Sequence, residues 1–218
     1  MLNMKNLSFI IFDLDDTLIH SNIDYAAMKN EILKLFNPQD AQLDTLTIKE
    51  LLERLDQDKD KYNKAYKIIE TIESKSALKA EAIPSADKIP AFLKESNLKA
   101  AILTNNSRNS VNKYLQTSKL QYLNNIGSII TRDDVSKMKP DPAGLLYIIN
   151  KFKLKPQEVY FIGDSYIDAE AAKAANIDFL LVNYRNLSLS RFKTPPIRIF
   201  SQLSEIFPFL RKEIDCIF

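Results

Sequence analysis

Short runs of apolar residues alternate along this chain with longer segments in which apolar residues recur at helical spacing. Runs that lack a polar side indicate strands that are buried on both faces. Strands that alternate with helices favour a parallel sheet covered by helices on both sides. The pattern predicts strands at 8–13, 99–103, 128–130, 159–162, 179–182 and 197–200. Between them it predicts helices at 85–96, 108–117, 142–152 and 167–175, with one more helix after the last strand.

The segment 21–83 departs from this alternation. It has no strand-like run and no glycine, and it carries many charges. Apolar residues recur at helical spacing over 48–55 and 62–72, and Pro38 follows a first helix predicted at 24–36. The pattern therefore predicts a small all-helical unit inserted after the first strand.

Together these elements predict an α/β protein with two domains. Residues 1–20 and 84–218 would form a Rossmann-like, three-layer core around the parallel sheet, and residues 21–83 would form the helical insertion. In parallel sheets of this kind, ligands bind beyond the carboxyl ends of the strands. The residues at those ends are therefore the candidates for function.

The composition excludes several kinds of site. Of 218 residues, three are glycine, one is cysteine, one is histidine and none is tryptophan. One cysteine cannot form an internal disulfide, and a zinc site of Cys and His would need about four ligands. Dinucleotide fingerprints and P-loops need closely spaced glycines, whereas Gly127, Gly144 and Gly163 lie far apart. Catalysis by a serine–histidine pair would have to use His20, and catalysis by a cysteine–histidine pair would have to use His20 with Cys216.

Charge and hydropathy exclude some partners. The 30 basic and 28 acidic residues give a net charge of +2, which gives no reason to expect nucleic-acid or anionic-membrane binding. No apolar stretch approaches the roughly 20 residues of a membrane span. Acidic residues interrupt the N-terminal apolar run at once, unlike a signal peptide. We therefore expect a cytoplasmic protein.

Acidic residues follow two of the predicted strands. Asp13 and Asp15 are two residues apart, so an extended backbone would direct both carboxylates to the same side. Paired carboxylates repel, which suits a divalent metal or a nucleophile next to an acid. An acidic turn that merely ends the strand is an equal alternative for these residues alone. Asp164 and Asp168 follow the strand at 159–162, and their hard oxygens suit Mg²⁺.

Polar groups also follow the second long strand. Thr104 and Asn105 precede a helix whose backbone N–H groups would favour an anion. A plain helix cap by Asn106 or Ser107 is the favoured alternative when this segment is taken alone. Lys139, in a loop between two strands, could offset the carboxylates and bind phosphate as a point charge.

In this order, the residues resemble the haloacid dehalogenase superfamily, and within it the phosphatases with a helical cap after the first strand. Phosphoglycolate phosphatases and beta-phosphoglucomutases are of this type. The resemblance covers nearly the whole chain. The segments that carry it are Asp13-Leu14-Asp15-Asp16-Thr17, Thr104-Asn105, Lys139-Pro140-Asp141-Pro142 and Gly163-Asp164-Ser165 with Asp168.

The resemblance implies a chemical role for five residues. Asp13 would be the nucleophile that becomes an aspartyl-phosphate. Asp15 would be the general acid and base. Thr104 and Asn105 would bind the transferring phosphoryl group, and Lys139 would stabilise the charge of that group and of the nucleophile.

The same resemblance implies a magnesium site. The side chains of Asp13 and Asp164 and the backbone carbonyl of Asp15 would hold Mg²⁺. Asp168 would orient Lys139 or a metal-bound water.

The predicted function is that of a Mg²⁺-dependent phosphatase acting on a small phosphorylated metabolite, as a monomer or homodimer. A phosphomutase similar to beta-phosphoglucomutase is one alternative, since it would use the same core and the same kind of cap. A non-catalytic protein that binds a phospho-ligand or a partner on this fold is an alternative from another class. The sequence leaves the metabolite open among phosphoglycolate, sugar phosphates, nucleotides and phosphoamino acids.

Some positions depart from the pattern of similar proteins. Asp16 occupies a place that is often glycine in similar proteins, although aspartate is also familiar there. Asn176 stands where a glycine commonly ends a helix, and asparagine tolerates the left-handed conformation that such an end needs. Gly163 precedes Asp164, where we expect a sharp turn, whereas the sequence indicates no role for Gly127 or Gly144.

Overall fold

Two units make up the protein, whose computed structural model describes residues 7–37, 40 and 42–215. The core unit comprises the chain up to His20 and from Glu81 onward, and the helical unit comprises Ser21–Ala80. The chain re-enters the core at residue 81 rather than 84, because Glu81 and Ala82 pair with Ile19 and His20 as a short antiparallel ladder.

A sheet of six parallel strands forms the core unit, which confirms the fold class predicted from the apolar runs. The strands of the described chain are β1 Phe9–Phe12, β2 Ile19–His20, β3 Glu81–Ala82, β4 Lys99–Leu103, β5 Ser128–Ile130, β6 Val159–Gly163, β7 Asp178–Val182 and β8 Arg198–Phe200. The order in the six-stranded sheet is β5-β4-β1-β6-β7-β8, and β2 pairs with β3 separately.

Helices connect these strands and fill the helical unit. They are α1 Tyr25–Leu33, α2 Ile48–Leu55, α3 Lys59–Ser76, α4 Ile89–Glu95, α5 Arg108–Gln116, α6 Ala143–Phe152, α7 Tyr166–Ala174 and α8 Ile206–Asp215. A 3-10 helix at Ser118–Asn125 is an element that the apolar spacing did not predict. In the part of the chain that the structure describes, no helix is both long and apolar enough to cross a membrane.

The carboxyl ends of the three central strands lie level with one another. Phe12 at the end of β1 is opposite Ile102 of β4 on one side and Ile162 of β6 on the other. Chain order reverses at β1, because β4 and β5 continue to one side of it and β6, β7 and β8 to the other. Such a reversal is where parallel sheets bind ligands, so the sheet brings the predicted candidates to one edge.

The apolar side chains of the strands explain why the sheet is stable. All four residues of β1 are buried, and Phe9 and Ile11 belong to a cluster with residues of α6 and α7. Phe161 of β6 and Leu181 of β7 lie in the same cluster. Each large apolar side chain buried in this way contributes about 1.5–3 kcal/mol, which fixes the strand ends that carry the site.

The helical unit has its own small core. Ile32 of α1, Leu51 of α2 and Ile69 of α3 are buried. Helix α2 starts at a capping box, in which the Thr47 backbone N–H donates to Glu50 Oε2 at 2.6 Å and the Glu50 N–H donates back to Thr47 Oγ1 at 3.2 Å. The apolar spacing and the cap together account for the helices of this unit.

Close packing against Asp168 accounts for a glycine at position 163. This residue ends β6 without a positive φ, and a Cβ on it would lie 2.8 Å from the carboxyl carbon of Asp168. Gly127, for which the sequence indicated no role, has a φ of +143°, and a Cβ there would lie 2.1 Å from the Ala100 carbonyl oxygen. The expected turn is present as a bend over Asp164 and Ser165, whereas the role of Gly127 was missed because it depends on a tertiary neighbour. Asn176 has a φ of +56°, so it adopts the left-handed conformation expected for it.

Candidate active site

Lys139 lies at the centre of the candidate site. Its buried ammonium group donates hydrogen bonds to the Asp13 carboxylate, to Asp168 Oδ1 at 2.7 Å and to the Leu103 carbonyl oxygen at 3.2 Å. Bonds between charged groups are stronger than neutral ones, particularly where water is excluded. The structure therefore joins Asp13, Lys139 and Asp168, which come from distant parts of the sequence, in one buried ionic cluster.

Both carboxylate oxygens of Asp168 are occupied by protein donors. Oδ1 accepts from Lys139, while Oδ2 accepts from the Ser165 hydroxyl and, at 3.2 Å, from the Ser165 backbone N–H. Ser165 is the N-cap of α7, so the start of this helix holds Asp168 in place. Asp168 is thereby fixed as a partner of Lys139.

Burial and repulsion act together on the carboxylates of the site. Burial raises the pKa of Asp13 well above its usual range; Asp168, Asp164 and Asp15 add to the rise, and Lys139 opposes it. Burial and the charge of Asp168 raise the pKa of Asp164 to about 7. The nearby carboxylates keep the pKa of Lys139 above its ordinary value, although burial lowers it. The protein's own cations therefore leave excess negative charge here.

This excess charge fits a divalent cation. One carboxylate oxygen from each of Asp13, Asp164 and Asp168 lies within 4.8 Å of the other two, and all three residues are buried. Hard carboxylate oxygens are the ligands that Mg²⁺ prefers. Lys139 and Ser165 hold both carboxylate oxygens of Asp168. Asp13 Oδ2 has a long contact of 3.4 Å with the Thr17 hydroxyl, and Arg185 bonds Oδ2 of Asp164. The carboxylates best able to hold a metal are therefore Asp13 and Asp164.

The Asp15 side chain has different neighbours from that of Asp13. Its Oδ2 accepts a hydrogen bond from Asn106 Nδ2 at 2.7 Å, and the Thr104 hydroxyl lies 3.4 Å from the same oxygen. The Asn106 backbone N–H in turn donates to Thr104 Oγ1 at 3.1 Å. The turn after β4 therefore holds the Asp15 carboxylate, and Asn106 does so although the sequence indicated only a helix cap for it.

Asn105 binds the protein rather than pointing to open space. Its Nδ2 donates to the Lys139 carbonyl oxygen at 3.0 Å, and its Oδ1 accepts from the Lys139 backbone N–H at 2.9 Å. Arg132 supports this turn from behind by donating to the Asn105 carbonyl oxygen at 3.0 Å. The Asn105 side chain thus positions the loop of Lys139.

Asp16, Tyr184 and Arg185 form a polar group near the site that the sequence did not reveal. Arg185 donates to Asp16 Oδ2 at 2.6 Å and also to Asp164 Oδ2. The Tyr184 hydroxyl donates to Asp16 Oδ1 at 3.1 Å and lies 3.1 Å from His20 Nδ1. Tyr184 and Arg185 come just after β7, so an inspection of every strand end would have found them.

Cys216, considered above as a nucleophile, lies outside the described residues.

Comparison with known proteins gives a consistent result. A family model described as haloacid dehalogenase-like hydrolase matches residues 10–182. A phosphoglycolate phosphatase from Psychrobacter arcticus is 28% identical over an alignment of 221 positions, gaps included, which covers 93% of this chain and 95% of that protein. A phosphoglycolate phosphatase from Nitrosospira multiformis is 26% identical over an alignment of 189 positions, gaps included, which covers 80% of this chain and 82% of that protein.

A solved structure shows the same fold. The crystal structure of a hydrolase from Pseudomonas syringae superposes with a TM-score of 0.74 at 23% sequence identity, over 94% of this chain and 98% of that one.

Proposed function

This chain belongs to the haloacid dehalogenase-like hydrolase family and is an enzyme of its phosphatase type, and on that premise we propose that it hydrolyses a small phosphate monoester with the help of Mg²⁺. The observation that carries the proposal is the buried cluster of Asp13, Lys139 and Asp168, with Asp164 within reach of a shared cation. Phosphoglycolate is the first substrate to test, because the relatives described above are named for it.

Asp13 is assigned the role of nucleophile. One of its carboxylate oxygens forms a bond to phosphorus while the bond between phosphorus and the ester oxygen breaks. The Asp15 carboxyl donates its proton to that departing oxygen. Lys139 contacts the Asp13 carboxylate, so it supports the ionised form of the nucleophile and offers positive charge to the phosphoryl oxygens.

Asp15 then acts as a base in the second step. Its carboxylate takes a proton from water, whose oxygen bonds to phosphorus as the bond between Asp13 and phosphorus breaks. Inorganic phosphate leaves, and both aspartates return to their starting forms. Asn106 holds Asp15 Oδ2 at 2.7 Å, which supports the proton transfer by fixing the position of the carboxylate.

Other residues position the phosphoryl group and the metal. We assign the Thr104 hydroxyl and the Asn105 backbone N–H to phosphoryl binding, together with Lys139. Asp13, Asp164 and the backbone carbonyl of Asp15 would hold Mg²⁺, which when bound would neutralise negative charge at the transferring group.

The helical unit is assigned to substrate choice. It is inserted between β2 and β3 as an independent set of three helices, so it can vary without disturbing the sheet that carries the catalytic groups. Such a division leaves the chemistry with the core unit and specificity with the insertion.

The test is phosphate release from a panel of phosphorylated metabolites, with phosphoglycolate among them. Wild-type protein should release phosphate with Mg²⁺, and excess chelator should abolish turnover. Asp13→Asn should remain folded by circular dichroism and lose activity by at least about 10⁴-fold, because the nucleophile is gone.

Three results would contradict the proposal. Near-normal activity of Asp13→Asn would overturn the assigned nucleophile, and activity in excess chelator would overturn the metal. Interconversion of hexose phosphates without phosphate release would indicate a mutase instead.

A further inference from the structure

Arg185 bridges two carboxylates at the edge of the candidate site. One terminal nitrogen donates to Asp16 Oδ2 at 2.6 Å, and the other donates to Asp164 Oδ2. The Arg185 side chain keeps 40% of its surface exposed, whereas the Asp164 side chain is only 8% exposed. The guanidinium therefore reaches a buried carboxylate from the rim of the site.

Asp16 is held in the left-handed backbone conformation, which glycine adopts most readily. Its φ is +54°, where a residue other than glycine costs about 1 kcal/mol or more. Both of its carboxylate oxygens are nevertheless used, one by Arg185 and one by the Tyr184 hydroxyl. These contacts give a reason for an aspartate at a position where glycine would fit the backbone better.

The pairing with Asp16 also changes what Arg185 can do to Asp164. A lone guanidinium would add a full positive charge beside any metal held by Asp164. Asp16 offsets that charge, so the pair is close to neutral and repels a nearby cation only weakly. In the described chain, Arg185 hydrogen-bonds to Oδ2 of Asp164, while no hydrogen bond to Oδ1 is seen.

We propose that Arg185, neutralised by Asp16, is a positioning residue that holds Oδ2 of Asp164 and presents Oδ1 to Mg²⁺. This inference rests on the proposed function, because that function supplies the cation. Carboxylates that bind metals are commonly oriented by hydrogen bonds of this kind, and loss of such a partner typically weakens metal binding about 10–100-fold. Asp16 acts one step further back, through Arg185.

The test is calorimetric titration of the purified protein with Mg²⁺ alone, without substrate. Arg185→Gln should bind Mg²⁺ about 10–100-fold more weakly than wild type. Arg185→Lys should also bind more weakly, because a point charge cannot span both carboxylates as the planar fork does. Tyr184→Phe is the matched control: it removes a contact to Asp16 but leaves the bridge, so its affinity should stay within about threefold of wild type.

A double variant tests the part played by Asp16. Asp16→Asn should weaken Mg²⁺ binding by itself, since it leaves the charge of Arg185 unpaired beside the cation. If Asp16 acts through Arg185, Asp16→Asn combined with Arg185→Gln should be no weaker than Arg185→Gln alone. Additive losses would contradict this order of action. Thermal melting in chelator would identify any variant that has lost its fold.

Two failures can be told apart. If wild type binds Mg²⁺ and Asp164→Asn does not, but Arg185→Gln binds as tightly as wild type or more tightly, the inference is wrong and the arginine is either neutral or a competitor of the cation. If wild type gives no Mg²⁺ binding at all, the metal of the proposed function fails, and the inference falls with it.

Discussion

Asn106 donates a hydrogen bond to the carboxylate that is proposed to move the proton. The Asn106 Nδ2 to Asp15 Oδ2 distance is 2.7 Å, and the asparagine is buried. General acid catalysis matters most when the leaving oxygen is a poor leaving group. The effect of removing Asn106 should therefore depend on the substrate's leaving group.

Asn106→Ala should lower kcat about 10²-fold for an alkyl phosphate and much less for p-nitrophenyl phosphate, whose leaving group needs little protonation. The measurement is kcat and KM for both esters. Asn109→Ala, which removes an exposed asparagine from α5, the helix that follows Asn106, is the control and should leave kcat and KM for both esters unchanged. An equal loss on both esters would show that Asn106 serves only the fold.

Among individual residues, the sequence locates those of the candidate site that a local pattern marks and misses those that only tertiary contacts mark. Asp13 and Asp164 follow apolar strands directly, so their place at the sheet edge follows from the strand pattern. Asn106 resembles an ordinary helix cap, and Arg185 is one of 30 basic residues. Only their tertiary contacts distinguish them, and those contacts leave no local pattern.

At the scale of elements, the junction of β6 and α7 sets the position of Asp168. A Cβ on Gly163 would lie 2.8 Å from both the carboxyl carbon and Oδ2 of Asp168. That side chain cannot yield easily, because Lys139 and Ser165 hold it. A methyl group here should therefore disturb the ionic cluster as well as the packing.

Gly163→Ala should destabilise the protein by about 1–3 kcal/mol and lower kcat about tenfold to a hundredfold. Gly144→Ala is a matched control, since its Cβ would also be close to a side chain, 2.5 Å from Leu103 Cδ1, but in helix α6. The control should change kcat little. Chemical denaturation and steady-state kinetics measure both; equal kcat for both variants would contradict the assigned role of the junction.

Among the elements, long apolar strands and amphipathic helices were predicted well because their patterns are set by burial. The strands at 99–103 and 128–130 have the predicted bounds. Strands β2 and β3 have two residues each, too few to show a period. The 3-10 helix at 118–125 shows neither the apolar run of a buried strand nor the apolar spacing of an α-helix. Strands as short as β2 and β3 form because they pair with each other.

At the scale of the molecule, the topology explains how one small edge of the sheet collects the site. The strand order places β1 between β4 and β6, so the segments that follow these three strands meet although they are far apart in sequence. The two-unit organisation was recognisable because the apolar pattern changes from strand runs to helical spacing between 21 and 83. The hydrogen bonds that each side chain makes at that edge could be identified only from the structure.

The central claim is that Asp13 carries the phosphoryl group during turnover. The most direct measurement is rapid quenching of the protein with substrate and Mg²⁺, followed by borohydride reduction and peptide mass spectrometry. Reduction of an aspartyl-phosphate yields homoserine, so we predict homoserine at position 13 in wild type and its absence in Asp13→Asn. Turnover with no modification at position 13, or with homoserine at another aspartate, would contradict the account.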